Sequence, residues 1–343
     1  MKIAIHHGRG SFSDRWIQYC EEHSIEYKLV NCYESDIIQH LIDCDALMWH
    51  FHQEKFEDYL FARQLLTSLH IAGKRIFPDF NSFWHFDDKI AQKYLLESLG
   101  LPLVQSYVFY DRSSSLNWAM KTKYPVVFKQ RRGAASDNVK LINNYKEAKK
   151  IIAKAFGKGF PIFDKWGYLK ERIRRTKAGL DPLSGALKGF ARLFIEPENN
   201  SKFANEKGYV YFQEYIPDNK SDTRIIVIGS KAFAIKRMNR ENDFRASGSG
   251  NIRYDKDEID ERCVSVAFDA SRKLKAYCMT YDFVFNQAND PKIVEISYAF
   301  KVHGYDPCPG YWDSELKWHD GRFNPQEWMV DLINNDILET IFH

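Results

Sequence analysis

A stretch of twenty residues, 281–300, constrains the fold more than any other part of the chain. It reads YDFVFNQANDPKIVEISYAF, two apolar runs that each contain one acid and that flank a segment rich in turn-forming residues. This pattern predicts a β-hairpin with strands over 281–285 and 293–296. Asp282 and Glu295 would then lie side by side, partly dehydrated, and would need a cation such as Mg²⁺ between them. The alternative is that both acids lie on the solvated face of the hairpin.

Length and composition limit the classes of protein to consider. The chain has 343 residues, 44% of them hydrophobic, which predicts two or three domains. Its net charge of +3 does not favour a nucleic-acid partner. Six cysteines without a CxxC pair predict reduced, mostly buried thiols. The sequence shows neither a signal peptide nor an apolar run of roughly 18 residues, so we expect a cytoplasmic protein without a transmembrane segment.

The N-terminal part, to about residue 98, alternates strand-like and helix-like segments, which predicts a parallel α/β domain. Gly8 and Gly10 follow the first strand, but the third glycine of a dinucleotide fingerprint is absent, which favours a plain turn. His50 and His52 share one face of a strand. Because no acidic or cysteine partner is nearby, we expect them to face a cleft rather than to bind a metal.

The middle of the chain contains a pattern typical of phosphate-binding loops and an apparent insertion. Lys129 ends an apolar strand and precedes a turn of small residues, whose N–H groups could surround phosphates, although an ordinary hairpin tip has the same pattern. Residues 157–208 contain two basic amphipathic segments, with eight basic and two acidic residues over 165–192. This suits an acidic polymer or a membrane surface, or else the solvated face of two packed helices.

Further strands are predicted over 209–212, 223–228 and 231–237. The irregular segment QEYIPD after the first of them leaves backbone groups free, as recognition of an adenine edge requires. A predicted helix over 260–277 leads back into the hairpin.

The order of these features resembles the ATP-grasp family, most closely its branch of ribosomal-protein glutamate ligases and glutathione synthetases. The resemblance covers nearly the whole chain apart from the basic insertion and the C-terminal tail. It implies an α/β fold in which a parallel pre-ATP-grasp domain precedes two α+β lobes that hold ATP between antiparallel sheets. The expected domains are 1–100, a small lobe over 101–215 that includes the insertion 157–208, and a large lobe over 216–343.

The resemblance also implies roles for individual residues. Two lysines, Lys89 in the DK helix and Lys129, would hold ATP phosphates. Arg245 in the DFRAS segment would contact a phosphate or the reacting acyl phosphate, and Arg237 and Arg224 are expected to bind phosphate or carboxylate. The other implied ATP contacts are Ser136 in the covering loop, the adenine hinge Glu214, Tyr215 and Ile216, and the ribose acid Asp222.

By the same resemblance, Asp282 and Glu295 match the ligands of Mg²⁺, for which Mn²⁺ is an alternative. The family's third metal ligand is an asparagine two residues after the glutamate, but this chain has Ser297. The covering loop also differs from the glycine-rich family pattern. It carries Arg131, Arg132 and Asp137 where glycines are common.

The activity implied is that of an enzyme, an ATP-dependent ligase that phosphorylates a carboxylate and lets an amine attack the acyl phosphate. We expect the acceptor pocket to be lined by Arg237, Arg245, the loop 6–11 and the aromatic segment 301–313. The carboxylate would belong to a small molecule or a glycan, such as a uronic acid of a surface polysaccharide that receives an amino acid. The alternatives are a small-molecule kinase on the same fold and a nucleotide-binding scaffold without turnover.

Overall fold

Three β-sheets organise the chain in a computed structural model, which describes residues 1–133, 138–162, 169, 172–173, 176, 202–240, 243–246 and 249–334. The first sheet is parallel, as predicted, with the order β2-β1-β3-β4. Its central strands are buried on both faces, which explains why they read as continuous apolar runs. The strands are β1 (Ile3–His6), β2 (Tyr27–Val30), β3 (Ala46–Trp49) and β4 (Arg75–Phe77). The helices are α1 (Phe12–Glu22), α2 (Ile37–His40), α3 (Phe56–Ile71), α4 (Phe80–Phe83) and α5 (Lys89–Ser98).

The sequence predicts a helix that begins near Asn81 or Phe86 and ends at Ser98. The helix that ends at Ser98 is α5, and it is separate from the short helix α4. Asp87 has a positive φ of 54°, which a right-handed helix does not accommodate. The next residue, Asp88, is the N-cap of α5, and its carboxylate accepts hydrogen bonds from the N–H groups of Ile90 and Ala91. The interruption places Lys89 at the first turn of a new helix.

The second sheet is antiparallel, with the order β5-β8-β6-β7. Its strands are β5 (Ser106–Phe109), β6 (Val126–Lys129), β7 (Val139–Ile142) and β8 (Val210–Glu214), and its helices are α6 (Arg112–Lys121) and α7 (Tyr145–Ala155). The sequence predicts strands over 126–129 and 139–142, which are the bounds of β6 and β7, whereas α6 and α7 were not predicted. Most of the basic insertion lies outside the described residues.

The third sheet has the order β13-β12-β9-β10-β14-β15, and β11 pairs with β10. Its strands are β9 (Ser221–Ile228), β10 (Lys231–Met238), β11 (Ile252–Arg253), β12 (Cys278–Phe285), β13 (Pro291–Ser297), β14 (Gly310–Asp313) and β15 (Trp318–Asp320). The helices are α8 (Glu261–Leu274) and α9 (Pro325–Asn334), with 3₁₀ turns at Lys256–Glu258 and Val302–Tyr305. The predicted hairpin is present as β12 and β13, with Asp282 opposite Glu295.

A shared hydrophobic core joins the first and third sheets. Ile5 and Trp16 of the N-terminal domain pack in one cluster with Phe233 of β10 and with Met329 of α9. All six cysteines are buried free thiols, as predicted. Within the described part of the chain, no helix is long and apolar enough to cross a lipid bilayer. The antiparallel sheets and the parallel N-terminal sheet confirm the predicted fold class.

Replacing Asp79 with asparagine should make the fold more stable at high pH. This carboxyl group is buried, accepts the N–H of Tyr277, and has one oxygen without a partner among the described residues. Burial raises its pKa to about 6, so the folded state holds the proton more tightly than the unfolded state, whose pKa is about 4. Wild-type stability should therefore fall as the pH rises from about 4 to about 6.

In urea denaturation, we expect the free energy of unfolding of Asp79→Asn to exceed that of the wild type by about 1–3 kcal/mol at pH 8 and by much less at pH 4. Asp257→Asn, at an exposed position, is the matched control. If the free energies of unfolding of Asp79→Asn and the wild type differed equally at both pH values, the raised pKa of Asp79 would be contradicted.

Candidate functional site

A cavity of about 770 Å³ is lined by residues from all three sheet regions. It brings together residues that are far apart in the sequence, including both ends of the adenine hinge and both arms of the acidic hairpin. Ser136 lies outside the described residues. The other predicted site residues all line this cavity: Lys89, Lys129, Glu214, Tyr215, Ile216, Asp222, Arg237, Arg245, Asp282 and Glu295.

Lys129 is a buried cation in the cavity wall. The residue is 5% exposed, and its ammonium group has no hydrogen bond or ion pair with any described residue. Burial lowers its pKa to about 8, although the nearby carboxylate of Glu295 favours the charged form. Because a buried charge without a partner is costly, an anionic ligand at this position would relieve that cost.

Lys89 connects the start of α5 to the acidic hairpin. Its ammonium donates to the carbonyl oxygen of Gly133 at 3.0 Å and lies 3.1 Å from a carboxylate oxygen of Glu295. Burial opposes its charge, but the carboxylates of Glu295 and Asp87 outweigh burial and raise the pKa. The two lysines therefore share one acid and present positive charge at one end of the cavity.

The covering loop begins with a glycine that the structure requires. Gly133 has a φ of +120°, and a Cβ atom there would lie 2.5 Å from the side-chain nitrogen of Asn138. Its N–H donates to both oxygens of Asp87, at 3.0 and 3.1 Å. Burial raises the pKa of Asp87 to about 6. The carboxylate of Asp87 therefore holds the N–H of Gly133 in place beside the predicted phosphate site.

Arg131 and Arg132, which replace glycines common in the family, do not line the cavity. The Nε of Arg132 donates to the buried carboxylate of Glu206 at 2.7 Å, and its guanidinium lies 4.0 Å from the ring centre of Tyr59. Arg131 also approaches Glu206, at 3.5 Å. These arginines attach the loop to its surroundings, so the change in sequence adds no charge to the cavity wall.

The acid of β12 is held by two arginines from neighbouring strands. Asp282 accepts from Arg224 through Nε at 2.6 Å and Nη2 at 2.8 Å, and from Nη2 of Arg237 at 2.8 Å. Although burial opposes ionisation, the two guanidinium groups hold the pKa of Asp282 below its usual range. This carboxylate is therefore ionised and has one acceptor position left.

The predicted ribose acid, Asp222, is engaged in the same network. Arg237 donates to its two oxygens, at 2.6 and 2.5 Å, and burial raises the pKa of Asp222. Its contact with ribose stays a prediction. Arg245 is half-buried at the cavity wall and pairs with Asp243 at 2.6 Å.

The predicted adenine hinge follows the end of β8. The N–H of Glu214 already donates to the carbonyl of Gln105 at 2.9 Å. Tyr215 and Ile216 lie beyond the strand, and their backbone groups bond to no other described residue. The adjacent cavity wall is apolar, which suits a flat aromatic base: Val104, Val127, Val139, Val284 and Val294.

The residues present fit one divalent ion at the hairpin. Asp282 and Glu295 offer oxygen ligands, which Mg²⁺ prefers, on paired positions of one sheet. Ser297, at the position of the family's third ligand, donates to the carbonyl of Ala299 at 3.0 Å and accepts its N–H at 3.1 Å. Its hydroxyl is thus used in a local turn. The two carboxylates would hold the ion, with phosphate oxygens and water completing its coordination.

The expected acceptor pocket needs a correction. The expected loop 6–11 does not line the cavity, whereas four residues of the loop after β3 do: His50, His52, Gln53 and Glu54. Of the aromatic segment, Lys301 lines the cavity, as does the preceding Phe300, whereas Tyr305 and Trp312 are buried in the core. Tyr305 packs against Phe233 and Phe300, so aromatic content there reflects packing rather than ligand binding.

His50 and His52 were predicted to face a cleft, and both line the cavity. Gln53, Glu54 and Asp87 line the cavity as well but were not predicted. Asp87 had a usable signal, because it precedes Lys89 at the start of a predicted helix. Gln53 had none, since a single glutamine after an apolar strand has no distinctive pattern.

Lys129→Met should stabilise the empty protein and weaken ATP binding. A lysine whose pKa falls from 10.5 to about 8 on folding binds its proton less tightly in the folded state, so wild-type stability should rise between pH 8 and pH 10.5. At pH 7 we expect the variant to gain about 1–3 kcal/mol in free energy of unfolding. Its ATP affinity should fall at least about tenfold in calorimetric titration.

The exposed Lys140 provides the matched control, Lys140→Met. If Lys129→Met were destabilising and bound ATP normally, Lys129 would be a structural residue rather than a phosphate ligand.

Ser297 is predicted not to bind the metal. Ser297→Ala should leave the Mg²⁺ concentration that half-activates ATP turnover unchanged within about twofold, while the lost turn costs about 1 kcal/mol of stability. Ser297→Asn, which restores the family's amide, should lower that concentration. Loss of Mg²⁺ activation in the alanine variant would show that the hydroxyl is a ligand.

Comparison with known proteins shows what part of the chain is similar to. Residues 197–307 match a family model described as the RimK-like ATP-grasp domain. No curated protein matches the chain. Among solved structures, a RimK domain protein ATP-grasp from Sphaerobacter thermophilus is 13% identical, with a TM-score of 0.57, and the similarity covers 98% of this chain and 100% of that chain.

Two further structures share the architecture. D-alanine–D-alanine ligase from Bacillus anthracis, complexed with ATP, is 12% identical with a TM-score of 0.55, over 97% of this chain and 96% of that one. The biotin carboxylase domain of 2-oxoglutarate carboxylase from Hydrogenobacter thermophilus, in complex with MgADP, is 13% identical with a TM-score of 0.59. This similarity covers 98% of this chain and 70% of that chain. These findings confirm the predicted superfamily and agree with the predicted class of enzyme. The chain has the ATP-grasp fold, and its residues 197–307 are similar to the RimK-like ATP-grasp domain.

Proposed function

We propose that the protein is an ATP-dependent carboxylate–amine ligase that forms an amide through an acyl phosphate. One observation carries the proposal: the cavity places the ammonium of Lys129, which has no described partner, in the same wall as the paired acids Asp282 and Glu295. Positive charge for phosphates and oxygen ligands for Mg²⁺ are what phosphoryl transfer needs. The ATP-grasp fold supports the same conclusion.

In this proposal, the nucleotide lies across the cavity with its base at the hinge. Tyr215 and Ile216 would offer backbone groups to adenine, and Lys89 and Lys129 would bind the phosphates. Glu295 and Asp282 would hold Mg²⁺, which supplies neutralisation of charge on the phosphate oxygens when bound.

The arginines would handle the carboxylate. Arg237 and Arg245 line the cavity beside the acidic hairpin, and guanidinium groups suit planar carboxylate and phosphate oxygens. They would orient the substrate carboxylate toward the transferred phosphoryl group and stabilise the anionic acyl phosphate. A buried cavity also limits hydrolysis before the amine attacks. No side-chain nucleophile is required.

The substrate, the metal and the cellular location are parts of the same proposal. Amidation of a uronic acid of a surface polysaccharide now rests on the basic insertion alone, because the aromatic tail packs into the core. Mn²⁺ would be an alternative to Mg²⁺, since it also takes oxygen ligands. The need for ATP places the proposed reaction in the cytoplasm.

Turnover with pooled acids and amines tests the proposal. ADP should form only when ATP, Mg²⁺, an acid and an amine are all present. Glu295→Gln should reduce this turnover at least about a hundredfold, because a neutral amide replaces a proposed metal ligand and removes the carboxylate that pairs with Lys89. Glu315→Gln, at an exposed position, should retain wild-type turnover.

Other outcomes would point to the alternatives. A stable phosphorylated product formed without an amine would indicate a small-molecule kinase. ATP binding without any turnover would indicate a scaffold. Full turnover of Glu295→Gln would contradict the metal assignment.

A further inference from the structure

We propose that His50 and Gln53 form a subsite that recognises an uncharged polar group of the substrate, a hydroxyl or a carboxamide. The proposal rests on the proposed function, because it assigns this part of the cavity to the molecule that is ligated. Both residues line the cavity from the N-terminal domain, and neither has a role implied by the family resemblance.

His50 presents one fixed N–H donor. Its Nδ1 lies 3.1 Å from the backbone nitrogen of Phe12 and accepts that N–H, so the ring proton is on Nε2. Nε2 is buried and has no hydrogen-bond partner among the described residues. The side chain is 6% exposed, and its ring stacks on Phe12 with 3.7 Å between ring centres. Burial keeps the pKa of His50 well below its usual value, so the ring is neutral.

Gln53 adds a donor and an acceptor. The residue is 8% exposed, yet neither its Nε2 nor its Oε1 has a hydrogen-bond partner in the described chain. Most buried side-chain amides are paired, because an unpaired polar group costs about 1–3 kcal/mol. Two neighbouring residues on one loop therefore leave three polar groups unsatisfied beside a ligand cavity.

Loose packing does not explain these unpaired groups. Tyr298 donates its hydroxyl hydrogen to the carbonyl of Phe51 at 2.7 Å, and the N–H of His52 donates to Asp58 at 2.7 Å. Asp58 is itself fixed by the hydroxyl of Tyr33. The two residues between His50 and Gln53 are thus held by specific bonds, which preorganises the loop for a ligand.

The subsite lies close to the acidic hairpin. Tyr298 directly follows Ser297, the last residue of β13, and its ring centre lies 6.2 Å from that of His50. Phe12, on which His50 stacks, also contacts Phe300 at 4.8 Å. A substrate whose reacting group faces the hairpin would therefore place another part of its structure against His50 and Gln53.

The chemistry of the subsite favours an uncharged group. A carboxylate would satisfy the donors but not Gln53 Oε1, and an ammonium would leave both donors unpaired. The charged residues on this side of the cavity, Glu54 and Lys301, are exposed to solvent, so a buried ionic group would lack a buried counter-charge. A hydroxyl or carboxamide supplies both an acceptor and a donor and satisfies all three groups.

Titration with three small probes tests the subsite without requiring turnover. The full-length protein, ¹⁵N-labelled at histidine and glutamine side chains, would be titrated with acetamide, acetate and methylammonium at equal concentrations. We expect acetamide alone to shift the His50 Nε2 and Gln53 amide resonances in a saturable manner. His50→Asn and Gln53→Leu identify these resonances by their loss.

Two variants complete the test. Gln53→Leu should weaken the acetamide response of His50 at least about tenfold, whereas Gln39→Leu, at an exposed position, should not change it. Saturation by acetate or methylammonium, or no response to any probe, would overturn the subsite. Acetamide binding in a protein without ATP turnover would refute the proposed ligase activity while leaving the subsite intact.

Discussion

A buried carboxylate between two arginines is the contact on which the cavity depends. Asp282 on β12 lies opposite Arg224 on β9, and Asp222 on β9 lies opposite Arg237 on β10. Opposite charges therefore alternate across three adjacent strands, and removing one partner would leave an uncompensated buried charge. Beside this network, Glu295 pairs with Lys89, whereas the buried Lys129 has no side-chain partner in the described part of the chain. The charge of Lys129 is thus available to an anionic ligand.

The features that the sequence predicted well are local and periodic. The hairpin followed from alternating apolar residues interrupted by Asp282 and Glu295, and β6 followed from an apolar run that ends in Lys129. Their assembly in one cavity did not follow from periodicity. It depended on a resemblance in the order of motifs, and the structure brings the described members of that set together. The ligand that each one contacts remains a proposal.

The features that the sequence could not predict depend on contacts between distant segments. Arg132 looked like a change in the phosphate loop, but it bonds to Glu206, 74 positions away. Ser297 occupies the position of the family's asparagine ligand, but its hydroxyl closes a turn with Ala299. Gln53 gave no signal, since an unpaired buried amide becomes visible only when its surroundings are known. In each case, the residue type was evident and its partner was not.

The central claim is that ATP activates a substrate carboxylate in this cavity. Transfer of ¹⁸O tests it most directly, using an acid labelled with ¹⁸O in its carboxylate, together with ATP, Mg²⁺ and the amine. If an acyl phosphate forms, attack of the amine expels phosphate that carries one oxygen from the acid, and each amide formed should release one labelled phosphate. Unlabelled phosphate accompanying amide formation would contradict the account.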